Sequence, residues 1–210
     1  MSRVKTRHLV TILLLTFAIA QAKVSIATQE ATVKVYPYQN VAAPGQQFTI
    51  SIVVENVTNL FAIEVKLYWN QSILQLTNTS VMLGVESHPG GVLHGQVYQN
   101  ETIESGKYIL YGTSIGKETP SFNGSGTVAE LIFNATRLGN CQLTLQTELY
   151  DKPGEGEASQ PIQHITENGY VSIEPKSGIW QFTYIATAII IIAAAILLAF
   201  YAKRRKAKSR

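Results

Sequence analysis

Asn-x-Ser/Thr, the acceptor tripeptide for an N-linked sugar, starts at Asn56, Asn70, Asn78, Asn100, Asn123 and Asn134. Ten asparagines, in a chain with Ser or Thr at about one position in six, would give roughly one or two by chance. Six therefore predict a glycosylated surface. Hydrolysis and metal chemistry have poorer material. Glu101 and Glu104 form a pair of the kind that glycoside hydrolysis sets about 5 to 9.5 Å apart, but they fall in a predicted loop with nothing to build a cleft. Asn123-Gly124-Ser125-Gly126 superficially resembles a serine-nucleophile elbow, lacks its first glycine and reads as a turn. Cys141 is the only cysteine, so no intrachain disulfide forms, and its place on the inward side of a strand predicts an inert thiol. Asp151 is the only aspartate, Glu155 and Glu157 are solvating loop charges, and His88, His94 and His164 follow no metal-ligand spacing. These residues predict no enzyme, no metal and no cofactor.

Charge narrows the partners. Of 17 Lys and Arg, three (Arg3, Lys5, Arg7) lie in the first eight positions and six (Lys203, Arg204, Arg205, Lys206, Lys208, Arg210) in the last eight. All 14 acids lie between Lys23 and Gly178 beside the remaining eight bases, a net of −6. A nucleic-acid binder would carry its cationic surface on the folded domain, so none is expected.

The ends read as membrane addresses. Residues 1–22 combine a basic start, the apolar run Leu9 to Ala20 and small residues at Ala18, Ala20 and Ala22, the order of a signal peptide. Residues 180–201 carry no charge, about 33 Å as a helix against a hydrocarbon core of about 30 Å. Trp180, Phe182 and Tyr184 mark one end, Phe200 and Tyr201 the other, and the basic tail 202–210 follows. The expected topology is a single-pass cell-membrane protein: residues 23–174 outside as one domain, a linker at 175–179, a transmembrane helix and a cytoplasmic C-terminus.

The outer domain alternates with period two. Phe48, Ile50, Ile52 and Val54 share one side of a segment; Phe61, Ile63, Val65, Leu67 and Trp69 share another, opposite Ala62, Glu64, Lys66 and Tyr68. Ala129, Leu131, Phe133 and Ala135 repeat the pattern, as do Cys141, Leu143, Leu145 and Leu149. Turn residues separate these runs (Pro44-Gly45, Pro89-Gly90-Gly91, Gly139-Asn140, Asn168-Gly169), which predicts an all-β sandwich of two sheets. Asp151 to Pro161 (DKPGEGEASQP) is expected as a surface loop, and Ile173 as the last strand residue.

Four segments, in order, resemble the cohesin domain, the receptor half of the cohesin and dockerin pair of cellulosomes. They are APGQQFTISIVVENVTNLFAIEVKLYWNQSILQL (Ala43 to Leu76), GTVAELIFNAT (Gly126 to Thr136), CQLTLQTELYD (Cys141 to Asp151) and NGYVSI (Asn168 to Ile173). The resemblance implies a jelly-roll β-sandwich of about nine strands that binds partners on one exposed sheet and catalyses nothing. Two positions depart from the pattern: Asn70-Gln71 stands where the family has Asp-Pro, and Ala62 with Glu64 where many cohesins have Asn and Asp.

Three functions follow as expectations. The first is a cohesin-like surface module whose Glu64, Lys66 and Tyr68 dock a dockerin-like protein, the −6 charge favouring a basic segment. The second is a carbohydrate-binding module of the same superfamily, tied to polysaccharide catabolism at the envelope, with Tyr36, Tyr38 and Tyr68 stacking on sugar rings. Tyr36 and Tyr38 flank Pro37, so covering a sheet edge is their other use. The third is a structural or auxiliary glycoprotein of the envelope.

Overall fold

The computed structural model describes residues 30–176 and 189–192. Its strands are β1 (Thr32–Tyr36), β2 (Gln39–Ala42), β3 (Gln47–Tyr68), β4 (Leu74–Val81), β5 (Gln96–Glu104), β6 (Lys107–Ile115), β7 (Phe122–Ala135), β8 (Gly139–Asp151), β9 (Ile165–Glu167) and β10 (Gly169–Ile173). The predicted signal peptide, transmembrane helix and basic tail lie outside the described residues except for 189–192, which are helical. No helix among the described residues is long and apolar enough to cross a membrane.

β3 organises the fold because it serves two layers. Residues 47–55 pair with β1 and β7, and residues 60–68 pair with β6 and β8. Asn56 and Asn59, with φ of 55° and 62°, form the corner between the halves. Asparagine tolerates this left-handed backbone better than a β-branched residue would. The inward side changes parity across the corner, from Ile50, Ile52 and Val54 to Ile63, Val65 and Leu67, all fully buried. One layer runs β9-β1-β3-β7-β4, the other β5-β6-β3-β8-β10-β2, and their inner residues join in one hydrophobic cluster. The ends of the domain close on each other: β9 lies parallel to β1 and β10 parallel to β2. Taking β1 with β2 and β9 with β10 as single strands that pass between layers, and dividing β3 at its corner, gives the nine strands expected.

Two local expectations change. Asn123 to Gly126 is not a turn; it is a bulged part of β7 whose side chains replace ladder bonds at the β3 corner. Asn123 Oδ1 accepts the Asn59 N–H at 2.9 Å, and Ser125 Oγ accepts the Asn56 N–H at 3.0 Å. Glu101 and Glu104 are not in a loop; they belong to β5, an edge strand paired along its whole length with β6. β5 is exposed at every position but Val97, so its sequence needs no alternation. The loop after Asp151 is exposed and pinned at its base, where the Asp151 N–H donates to the Gln160 carbonyl and the Gln160 N–H to Asp151 Oδ1.

Candidate functional site

Strand register sets which side chains share the outer face of the second layer. Ala62, Glu64, Lys66 and Tyr68 of β3 stand opposite Thr113, Tyr111, Ile109 and Lys107 of β6 on one side. Tyr150, Glu148, Gln146 and Thr144 of β8 stand opposite them on the other. Directly paired residues project to the same side of a sheet, so these rows form one continuous face. β5 extends it: Tyr98, Asn100, Thr102 and Glu104 pair with the outward residues of β6.

The charges on this face are largely satisfied within it. Lys66 Nζ lies 2.8 Å from Glu64 Oε1, and the hydrogen bond to Glu64 raises the lysine above its usual range. The Tyr150 hydroxyl donates to Glu148 Oε2 at 2.5 Å, which raises the phenol. Lys107 pairs with Glu104 at 3.6 Å and sits 5.9 Å above the centre of the Tyr68 ring. Across β5, β6, residues 60–68 and β8, the face thus carries Glu64, Glu104 and Glu148 against Lys66 and Lys107. The domain's acidity is not gathered here. A shallow depression of about 240 Å³ on it is lined by Glu64, Lys66, Gln146, Thr147 and Glu148.

Glu64, Lys66 and Tyr68 are therefore together and outward, as expected. Tyr36, Tyr38 and Tyr68 are not together. β1 ends at Tyr36, whose partner Ser51 puts it on the outer side of the first layer; Tyr38 lies beyond Pro37, outside β1; Tyr68 is on the second layer. The spacing of Tyr36 and Tyr38 alone suggests one face of a first strand, but β1 ends at Tyr36 and β2 begins at Gln39, so Tyr38 lies between the two strands. Sequence reading also missed Tyr98, Ile109, Tyr111 and Tyr150. In β6 both parities carry bulky residues, with Tyr108 and Leu110 buried and Ile109 and Tyr111 outward, so alternation alone could not select the exposed set.

The other candidate chemistry is taken up structurally. Glu101 and Glu104, three apart on a strand, project to opposite faces and share no cleft. Gly112-Thr113-Ser114-Ile115-Gly116 has full elbow spacing, which the motif reading missed, yet Ser114 is only 4% exposed within β6. Cys141 is buried, its thiol pushed up by burial, and Sγ accepts the Asn70 N–H at 3.3 Å. His94 pairs with Glu86 at 3.4 Å, and His164 bridges the Ile162 carbonyl and Thr147, each at 2.8 Å. No three His, Cys, Asp or Glu side chains among the described residues could hold a metal ion. Of the acceptor asparagines, Asn70, Asn78, Asn100 and Asn123 are exposed, and Asn56 and Asn134 half-buried.

No family model matches the chain, and no curated protein matches it. Solved structures do. A non-cellulosomal cohesin from the hyperthermophilic archaeon Archaeoglobus fulgidus is 18% identical, with a TM-score of 0.51, covering 71% of this chain and 94% of its own. The sixth cohesin of Acetivibrio cellulolyticus scaffoldin B, solved in complex with a mutant Cel5 dockerin, is 12% identical with a TM-score of 0.54, covering 70% and 100%. The seventh ScaB type I cohesin of Pseudobacteroides cellulosolvens is 15% identical with a TM-score of 0.54, covering 71% and 96%. The described domain has the cohesin fold.

Proposed function

We propose that this protein is a non-catalytic cell-surface module that holds a partner protein of the dockerin type on the outer face of its second layer. Glu64, Lys66 and Tyr68 form the centre of the docking surface, and the segment at 180–201 tethers the domain to the cell membrane. The observation that carries this reading is the face itself. It is a broad, open array of tyrosines and ion-paired side chains without a catalytic constellation, on a fold shared with cohesins that include one solved with its dockerin. Pre-formed ion pairs suit a docking surface, since their side chains are already partly ordered before a partner arrives.

Calorimetric titration of the full chain with a panel of purified dockerins tests it. Binding that weakens tenfold or more in Glu64→Lys and Tyr68→Ala is expected, about 1.4 kcal/mol or more. If no dockerin binds, or if binding ignores both substitutions, the reading fails. A second reading, polysaccharide binding, draws on Tyr36 and Tyr38, which are 59% and 62% exposed. Retardation on polysaccharide-containing native gels that disappears in Tyr36→Ala would favour it.

A further inference from the structure

Asn100 differs from the other acceptor asparagines in what surrounds it. Tyr98, Asn100 and Thr102 alternate along the outer side of β5, and Asn100 stands directly opposite Tyr111. Tyr98 is 54% exposed, and its ring meets that of Tyr111 edge to face at 6.4 Å. A sugar on the Asn100 side-chain nitrogen therefore has two aromatic rings within reach on its own face of the sheet. The apolar C–H side of a pyranose packs well on such rings, which are wide, rigid and already oriented. Elsewhere this cradle is missing. Asn70 follows Tyr68, but Lys107 lies over that ring and Asn70 Oδ1 turns back to the Ser72 N–H at 2.9 Å. Asn56, Asn78, Asn123 and Asn134 have Val54, Leu76, Ser121 and Ile132 two residues before them, none of them aromatic.

We propose that Asn100 carries an N-linked glycan whose first sugar lies on Tyr98 and Tyr111, so that the mature protein exposes the β3 and β8 part of the face and covers the β5 and β6 part. The modification bonds Asn100 Nδ2 to the anomeric carbon of a lipid-phosphate-linked oligosaccharide. The C–O bond to phosphate breaks, the lipid phosphate leaves with that electron pair, and the amide gives up one proton. The inference rests on the exported-face reading above and makes it narrower: Asn100, Tyr111, Glu64 and Glu148 lie in one row across four strands. At about 4.8 Å per strand, Glu64 is only two strands from the glycan and Glu148 three.

The test uses the full chain isolated from its own cells. Mass spectrometry of the proteolytic peptide containing Asn100 reads occupancy; hydroxyl-radical footprinting reads the tyrosines. Expected is a glycan at Asn100, with Tyr98 and Tyr111 severalfold more reactive in Asn100→Gln and in Thr102→Ala, which keeps the asparagine but removes the acceptor motif. Tyr150 and Tyr170, on β8 and β10, should not change. A bare Asn100, or a glycan that leaves Tyr98 and Tyr111 as reactive as in the two variants, overturns the proposal. Neither readout involves a partner protein, so failure here is separable from failure of the docking titration.

Discussion

Trp69 and Phe133 meet edge to face, ring centroids 5.1 Å apart at 79°, one from each layer of the sandwich. Trp69 follows the last residue of β3 and donates its indole N–H to the Leu74 carbonyl at 3.0 Å; Phe133 is fully buried in β7 and stacks on Phe48 at 5.9 Å. The pair pins the two layers where no disulfide can.

Phe133→Ala should remove that pin and leave a cavity, costing about 3–5 kcal/mol in urea unfolding of the full chain. Phe133→Leu, which keeps most of the volume, should cost clearly less. Both variants lack the ring, so equal losses would assign the whole effect to the Trp69 contact and none of it to the filled volume.

The β3 corner gives a backbone test. Asn59→Val places a β-branched residue in a left-handed conformation and should destabilise by about 1–2 kcal/mol. Asn59→Gly fits the same φ and should be nearly neutral, because the bond to Asn123 comes from the backbone. Asn123→Ala should cost about 1 kcal/mol through the orphaned Asn59 N–H. Thermal denaturation ranks the three.

Glu86 links the loop between β4 and β5 to pH. Its carboxylate accepts the Gly95 N–H at 2.9 Å and faces His94 at 3.4 Å; the Gly95 bond, foremost, holds it below the ordinary value of 4.5. A depressed carboxylate contributes stability above its unfolded pKa and loses it as pH falls through the folded one. Amide exchange at Gly95, corrected for intrinsic rate, should therefore quicken as pH drops below 4.5, and Glu86→Gln should show no such step. A step that persists in the variant would assign it to another group.

Cys141 is a reporter of global opening. It is buried and its thiol raised, so alkylation of the native chain should run about 100-fold or more slower than in denaturant. Rapid labelling of the native protein would show that β8 opens locally where it meets Asn70.

What could be read from the residues depended on what each strand buries. The alternation in β3, β7 and β8 was plain because one side of each meets the core, and the last described strand does end at Ile173. β5 was invisible for the opposite reason: it buries almost nothing, so Glu101 and Glu104 looked like loop charges. Asn123 to Gly126 carries turn residues, yet a bulge uses the same freedom, and only pairing with the β3 corner tells them apart. Of the candidate face, the β3 contribution followed from parity alone. Its neighbours on β6 and β8 required the register, which no single strand's sequence contains.

β10 ends the sandwich with a neighbour on each side, antiparallel β8 and parallel β2. A mechanical load applied through the chain beyond Ile173 would meet a strand that cannot peel from an open edge. It comes free only when two ladders break together, one of them built by the domain's own N-terminal region. The last strand is thus anchored as a rivet through two plates would be, and pulling force entering there is shared at once with the sheet that carries Glu64 and Lys66.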